Sequence, residues 1–125
     1  MKPKPIAYWT TTTLLALFLL SGGIGELLRP PDAVKGMALI GYAPYVMTLL
    51  GVWKILGFVA ILIPRFPRLK EWAYAGIFFD LTGAAISHAA SADYGPGAFH
   101  IIVPLALAGV AIASWALRPA SRRLA

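Results

Sequence analysis

The chain has no cysteine among its 125 residues. That excludes a structural disulfide, a thiolate metal site and a thiol–disulfide relay built from its own side chains. Charge is scarce as well. Asp, Glu, Lys and Arg make up 13% of the chain, against about 25% in soluble domains. Catalytic signatures are missing: there is no Walker loop, no G-x-S-x-G elbow, and no H-E-x-x-H or H-x-x-E pattern. With His88 and His100 as its two histidines, the chain has no paired-histidine spacing, so no metal site is expected. Nor does it carry a sustained heptad or a repeat of solenoid length.

What it has in abundance is apolar. Hydrophobic residues reach 59%, above the roughly 45–50% of soluble domains, and they fall in long blocks. This is the composition of a membrane protein, with room for one compact unit. The formal charge of +6 would suggest nucleic acid in a soluble domain. Here the basic residues flank apolar blocks, so they read as topology signals and contacts with anionic membrane lipid, not nucleic acid. The first block starts within ten residues of Met1 but lacks a small-residue cleavage ending. It is expected to be a retained helix and not a signal peptide.

Four blocks are long enough to cross hydrocarbon: residues 7–28, 45–63, 72–90 and 99–117. In the first, Tyr8 and Trp9 suit an interfacial belt, and the run Thr10 to Thr13 can bond back to its own helix. Ser21, Gly22, Gly23 and Gly25 allow a close helix approach. Arg29-Pro30-Pro31-Asp32 ends that helix. Ala33 to Pro44, broken by Gly36 and Gly41, predicts a short interfacial helix or re-entrant piece. The basic turn Pro64 to Arg68 and the loop Ser91 to Gly97 separate the later spans. The expected fold is all-α, a polytopic membrane four-helix bundle. The leader, the central turn and the tail carry eight basic residues, and the opposite loops carry Arg29 and Lys35. By the positive-inside rule both termini are expected in the cytoplasm, with the bundle in the inner membrane.

The third span organises the rest, because Asp80 and His88 interrupt it. An ionisable group in a membrane helix costs about 2.5–3.5 kcal/mol on insertion scales, so it needs a partner or a task. Asp80, Ala84, Ser87 and His88 lie along one helical stripe. Lys54 lies about nine residues from the outer end of its span and Asp80 about eight from the inner end of its own. At about 1.5 Å per residue both fall near mid-depth. A Lys54–Asp80 ion pair is the natural expectation, serving as a structural clamp or as a ligand or proton site. Glu26 either faces solvent near the interface or joins Lys54 in a triad. His88 is either structurally hydrogen-bonded or a proton carrier, since its ordinary pKa is near neutrality. His100 is expected to face water at a loop end. The candidate ligand-binding set is therefore Glu26, Lys54, Asp80, Ser87 and His88, with His88 and Asp80 as catalytic candidates. The aromatics Trp53, Phe58, Trp72, Tyr74, Phe78 and Phe79 read first as belt and packing residues, though some could line an apolar pocket. Bis-histidine haem ligation is disfavoured.

At these residues the chain resembles the DoxX-like family, within the DoxX/DoxD group of small four-helix membrane proteins. The resemblance rests on Gly41-Tyr42-Ala43-Pro44-Tyr45, on Lys54-Ile55-Leu56-Gly57, and on the stretch Pro64 to Gly76. Phe79-Asp80-Leu81-Thr82-Gly83-Ala84 and Ser87-His88 complete it. Ala43 stands where a proline would be more familiar. The resemblance implies a link to membrane oxidoreductase complexes, since relatives are similar to the small subunit of a thiosulfate:quinone oxidoreductase. Three readings stay open. One is a binder of a hydrophobic ligand such as a quinone. The second is a small membrane enzyme using His88 or Asp80 as acid or base. The third is an accessory subunit docking an oxidoreductase partner, with a homo-oligomer compatible with each.

Overall fold

The computed structural model describes residues 3–124; Lys2, counted above in the basic leader, lies outside the described residues. Five α-helices follow one another: α1 (Pro3–Leu28), α2 (Pro31–Leu39), α3 (Pro44–Leu62), α4 (Pro67–Ala90) and α5 (Phe99–Ala116). No strand occurs among the described residues. Prolines open α2, α3 and α4, where their missing N–H would have no partner and their fixed φ suits the first turn. The segment between the first two long helices is helical, as the nine-residue α2. Helix α4 starts at Pro67, ahead of its apolar run, because Arg65 (φ 68°) and Phe66 (φ 53°) reverse the chain in a very short turn.

By length and composition α1, α3 and α5 can each cross a membrane. Helix α4 is more polar and is not among these three. Its 24 residues span ~36 Å, and they carry the chain from the end of α3 to the start of α5. The four long helices form a ring in which α1 touches α3 and α5, and α4 touches the same two. We call the end holding Pro3 and the C-terminal tail the terminal end, and the opposite one the far end.

Helices α1 and α3 approach most closely where Gly23 faces Gly51. A Cβ on Gly51 would sit 2.9 Å from the Gly23 carbonyl oxygen, and one on Gly23 would sit 3.1 Å from the Gly51 carbonyl oxygen. The core continues along one stripe of each helix. Leu15, Ala16 and Leu19 of α1 pack with Ile61, Tyr74, Ile77, Leu81, Ala108 and Ala111. A hydroxyl network threads through it: Thr12 Oγ1 and Tyr74 Oη each lie 2.7 Å from Ser114 Oγ. Of the threonine run, then, Thr11 bonds back to the Ala7 carbonyl at 2.9 Å, while Thr12 reaches across to α5.

At the terminal end some of the basic residues, read as topology signals and lipid contacts, also bond within the protein. Lys70 is fully buried and its Nζ donates to the Ala60 carbonyl at 2.9 Å and to the Ile63 carbonyl. Arg122 Nη1 donates to the carbonyls of Ile61 and Leu62 at 3.1 and 3.2 Å. Both cations thus cap the carbonyls that α3 leaves unpaired at its C-terminus, where the helix dipole is negative. Arg118 donates to Glu71 Oε1 at 2.7 Å, and the Trp115 indole donates to Glu71 Oε2 at 2.9 Å.

The Gly23–Gly51 crossing generates a direct test. Gly51→Ala must push α1 and α3 apart, at a cost of about 1–3 kcal/mol for overpacking. Gly25→Ala meets nothing within 4 Å and gains helix propensity. Thermal unfolding in detergent is expected to fall by several degrees for the first and to hold or rise for the second.

Candidate functional site

Lys54 is set on the inward stripe of α3, in helical register with Met47, Gly51 and Ile61, which are all buried. Its Nζ donates to Glu26 Oε1, and the two side chains retain only 13% and 17% of their exposure. The ammonium also lies 5.3 Å from the centroid of the Phe18 ring, a favourable cation–π approach. Of the two alternatives for Glu26, the pairing with Lys54 is therefore the one adopted. The expected Lys54–Asp80 ion pair is corrected: among the described residues no salt bridge joins them. The cause is the glycine crossing, which brings α1 nearer to Lys54 than α4 is. Glu26 Oε2 is buried and has no hydrogen-bond partner among the described residues, an unusual position for a carboxylate oxygen.

Asp80 remains close to this pair because it shares two cavities with Lys54. One, of about 270 Å³, opens between α3 and α4 toward the terminal end, walled by Trp53, Trp72 and Gly76. The other, of about 420 Å³, lies toward the far end. Its walls are mainly apolar, with Phe18, Leu50, Val103 and Leu107, and the polar side chains of Glu26, Lys54, Asp80, Tyr42 and His88 also line it. Asp80 and His88 are eight residues apart on α4, ~12 Å along the axis. The polar groups of this cavity thus sit at two levels.

Helix α2 and the turn after it roof the far-end cavity with Met37, Ile40 and Tyr42. The Tyr42 hydroxyl hydrogen-bonds Ser87 Oγ, tying this roof to α4. Ser87 is thereby engaged, and it does not line the cavity. Tyr42 is a cavity residue that the pattern of ionisable groups could not reveal, because its hydroxyl is brought in by the fold of α2.

At the far end His88 Nδ1 lies 3.0 Å from Asp93 Oδ2. His100 Nδ1 lies 3.3 Å from Asp93 Oδ1 and 3.1 Å from the Asp93 carbonyl oxygen. His100, expected to face water at a loop end, keeps 38% of its side-chain exposure and is also held by Asp93. Spacing along the chain gives no metal motif here, because the three residues come from α4, a loop and α5.

With this geometry in place the chain can be compared with known proteins. The model of the DoxX-like family matches residues 10–114. The chain belongs to the DoxX-like family. No curated protein and no solved structure matches it. The DoxX-like stretch includes Glu26, Lys54, Asp80, His88, Asp93 and His100, whereas Arg118 and Arg122, which stabilise the terminal end, fall beyond it.

The Lys54–Glu26 pair can be separated from simple packing by a double-mutant cycle. Lys54→Met alone leaves the Glu26 carboxylate unpartnered and is expected to cost about 2–4 kcal/mol, somewhat under a fully buried pair. Adding Glu26→Gln removes the orphaned charge and is expected to restore at least half of the lost stability, read as thermal unfolding in the same detergent.

Proposed function

We propose that this DoxX-like protein binds a hydrophobic ligand with a polar head group between its helices, in the far-end cavity. The observation that carries this reading is that cavity: apolar walls with Lys54 and Asp80 at one level, and Tyr42 and His88 at another. Its volume of about 420 Å³ falls within the roughly 300–1,000 Å³ of small-molecule sites. It suits a ring-sized head group, with an isoprenoid tail lying along exposed apolar side chains such as Phe79. A quinone meets that description. Its carbonyl oxygens are hydrogen-bond acceptors, and the cavity offers donors at either level, the Lys54 ammonium at one and the Tyr42 hydroxyl and His88 imidazole at the other. Glu26 and His88 would then carry protons toward the far end. An acid–base step by His88 or Asp80 would turn the same site into an enzyme.

In this reading the protein sits in the inner membrane with both termini in the cytoplasm, as the distribution of basic residues supports. Any redox chemistry would be borrowed from a quinone, a haem or an oxidoreductase partner, because the chain has no cysteine of its own. A homo-oligomer is compatible with the exposed apolar faces of α3 and α4.

Native mass spectrometry with lipid extraction tests the proposal on wild type, Asp80→Asn and Ala84→Phe. Ala84 lines the cavity, so phenylalanine there fills the space while leaving Lys54 and Glu26 themselves unchanged. Wild type is expected to release a specific isoprenoid or lipid, with retention in both folded variants reduced about tenfold or more, equivalent to ~1.4 kcal/mol. A folded wild type that carries no specific ligand would overturn the proposal and leave the accessory-subunit reading.

A further inference from the structure

We infer that His88, Asp93 and His100 form a binding site for one divalent transition-metal ion of the zinc class at the far end of the bundle. The inference rests on these three side chains and does not depend on the ligand proposed above.

Three elements are brought together to build this cluster. His88 lies in the last turn of α4, His100 in the first turn of α5, and Asp93 in the loop between them. The loop is tightly shaped. The Asp93 N–H donates to the His88 carbonyl at 2.9 Å, and the His100 N–H donates to the Tyr94 carbonyl at 2.8 Å. Ala92, Gly95, Gly97 and Ala98 all take left-handed backbone angles, with φ between 54° and 73°. For the two alanines this costs ~1–2 kcal/mol each, and such strain gathers at sites where the surroundings hold it in place. Gly95 has a further role: a Cβ there would lie 2.9 Å from His100 Cδ2. Only glycine lets the imidazole turn in beside Asp93.

The spacing suits ligation. Around a tetrahedral zinc with bonds of ~2.0–2.1 Å, neighbouring ligand atoms stand ~3.3 Å apart. His88 Nδ1 lies 3.0 Å from one Asp93 carboxylate oxygen and His100 Nδ1 lies 3.3 Å from the other, and one donor atom from each residue lies within 4.8 Å of the other two, so a small rotation of side chains closes the set on one ion. The rings converge without stacking, with centroids 4.9 Å apart and planes tilted by 46°. Two imidazoles and one carboxylate favour zinc, copper, nickel or iron over calcium or magnesium, which prefer oxygen alone. With three protein ligands the fourth position falls to water or to a substrate atom, as in catalytic zinc sites. All three side chains are partly exposed, between 22% and 38%, so an ion can enter from solvent.

The test uses the full chain without a histidine tag, in lipid nanodiscs. Zn²⁺ is titrated against a chromophoric chelator, and Cu²⁺ serves as a spectroscopic probe. His88→Gln, Asp93→Asn and His100→Gln keep size and hydrogen-bonding capacity, so a loss of binding reports ligation and not unfolding. Asp32→Asn, at the same end but outside the cluster, is the control. Wild type and the control are expected to take one Zn²⁺ per chain, with each cluster variant weakened about tenfold or more, in line with losses seen at metal sites. Bound Cu²⁺ is expected to show coupling to two imidazole nitrogens in wild type and to one in either histidine variant. Two results would overturn the inference: a folded wild type with no saturable Zn²⁺ binding at micromolar concentration, or undiminished binding in the doubly substituted His88→Gln, His100→Gln protein.

Discussion

The charge of Lys54 sits in the interior of an apolar bundle, and the fold is arranged around that fact. An ammonium there needs an acceptor, since hydrocarbon offers none. The acceptor is Glu26, and what makes it reachable is the contact of Gly23 with Gly51, where neither helix has a side chain to hold the other away. The ion pair and the glycine crossing therefore depend on each other. The crossing lies about one helical turn from both charged residues, so a change that separates the helices also stretches the pair. Once α1 supplies the partner of Lys54, Asp80 is left to the cavity walls.

The two ends of the bundle solve the problem of polar groups in different ways. At the terminal end, among the described residues, the buried side-chain donors and acceptors are paired within the protein. Lys70 and Arg122 close the C-terminus of α3, Arg118 and Trp115 share Glu71, and Thr12, Tyr74 and Ser114 bond one another. Satisfied networks of this kind rigidify a structure. At the far end the accounting stays open. Glu26 keeps an oxygen without a partner among the described residues, Asp80 lines this cavity as well as the one toward the terminal end, and two imidazoles share one carboxylate. Unspent hydrogen-bonding capacity beside an apolar cavity is what a recognition site requires, and it is concentrated at this end.

Much of this was legible in the chain and some was not, for identifiable reasons. The apolar blocks, the prolines at helix starts and the interrupted segment before Pro44 sufficed for an all-α bundle, with the segment between the first two long helices left open as a short interfacial helix or a re-entrant piece. Helical rise alone put Lys54 and Asp80 at a common depth. It could not decide which carboxylate Lys54 meets, because periodicity assigns a residue to a face and says nothing of the neighbour across it; Gly23 and Gly51 held that information as a packing constraint between two helices. The His88–Asp93–His100 cluster was hidden for another reason. It depends on backbone angles at Ala92 and Ala98 that alanine rarely adopts, so no propensity argument would bend the loop that way. Arg118 and Arg122 read as ordinary positive-inside residues because charge counting sees their sign and not their hydrogen bonds.

His88 joins the two proposals at one side chain. It lines the far-end cavity, and its Nδ1 faces Asp93. An ion held through that nitrogen would fix the ring's rotation and its tautomer, and hence what the other edge of the imidazole presents to a ligand head group. A ligand that prefers one ring orientation would in turn favour or oppose the ion. Such coupling is reciprocal: whatever factor the ion applies to ligand affinity, the ligand must apply to ion affinity. Tyr42 adds a second link, because its bond to Ser87 anchors the cavity roof one residue before His88. Motion of α2 would therefore reach the imidazole through the adjoining backbone of α4, and entry of a ligand beneath that roof would be felt at the histidine cluster without any longer path through the bundle.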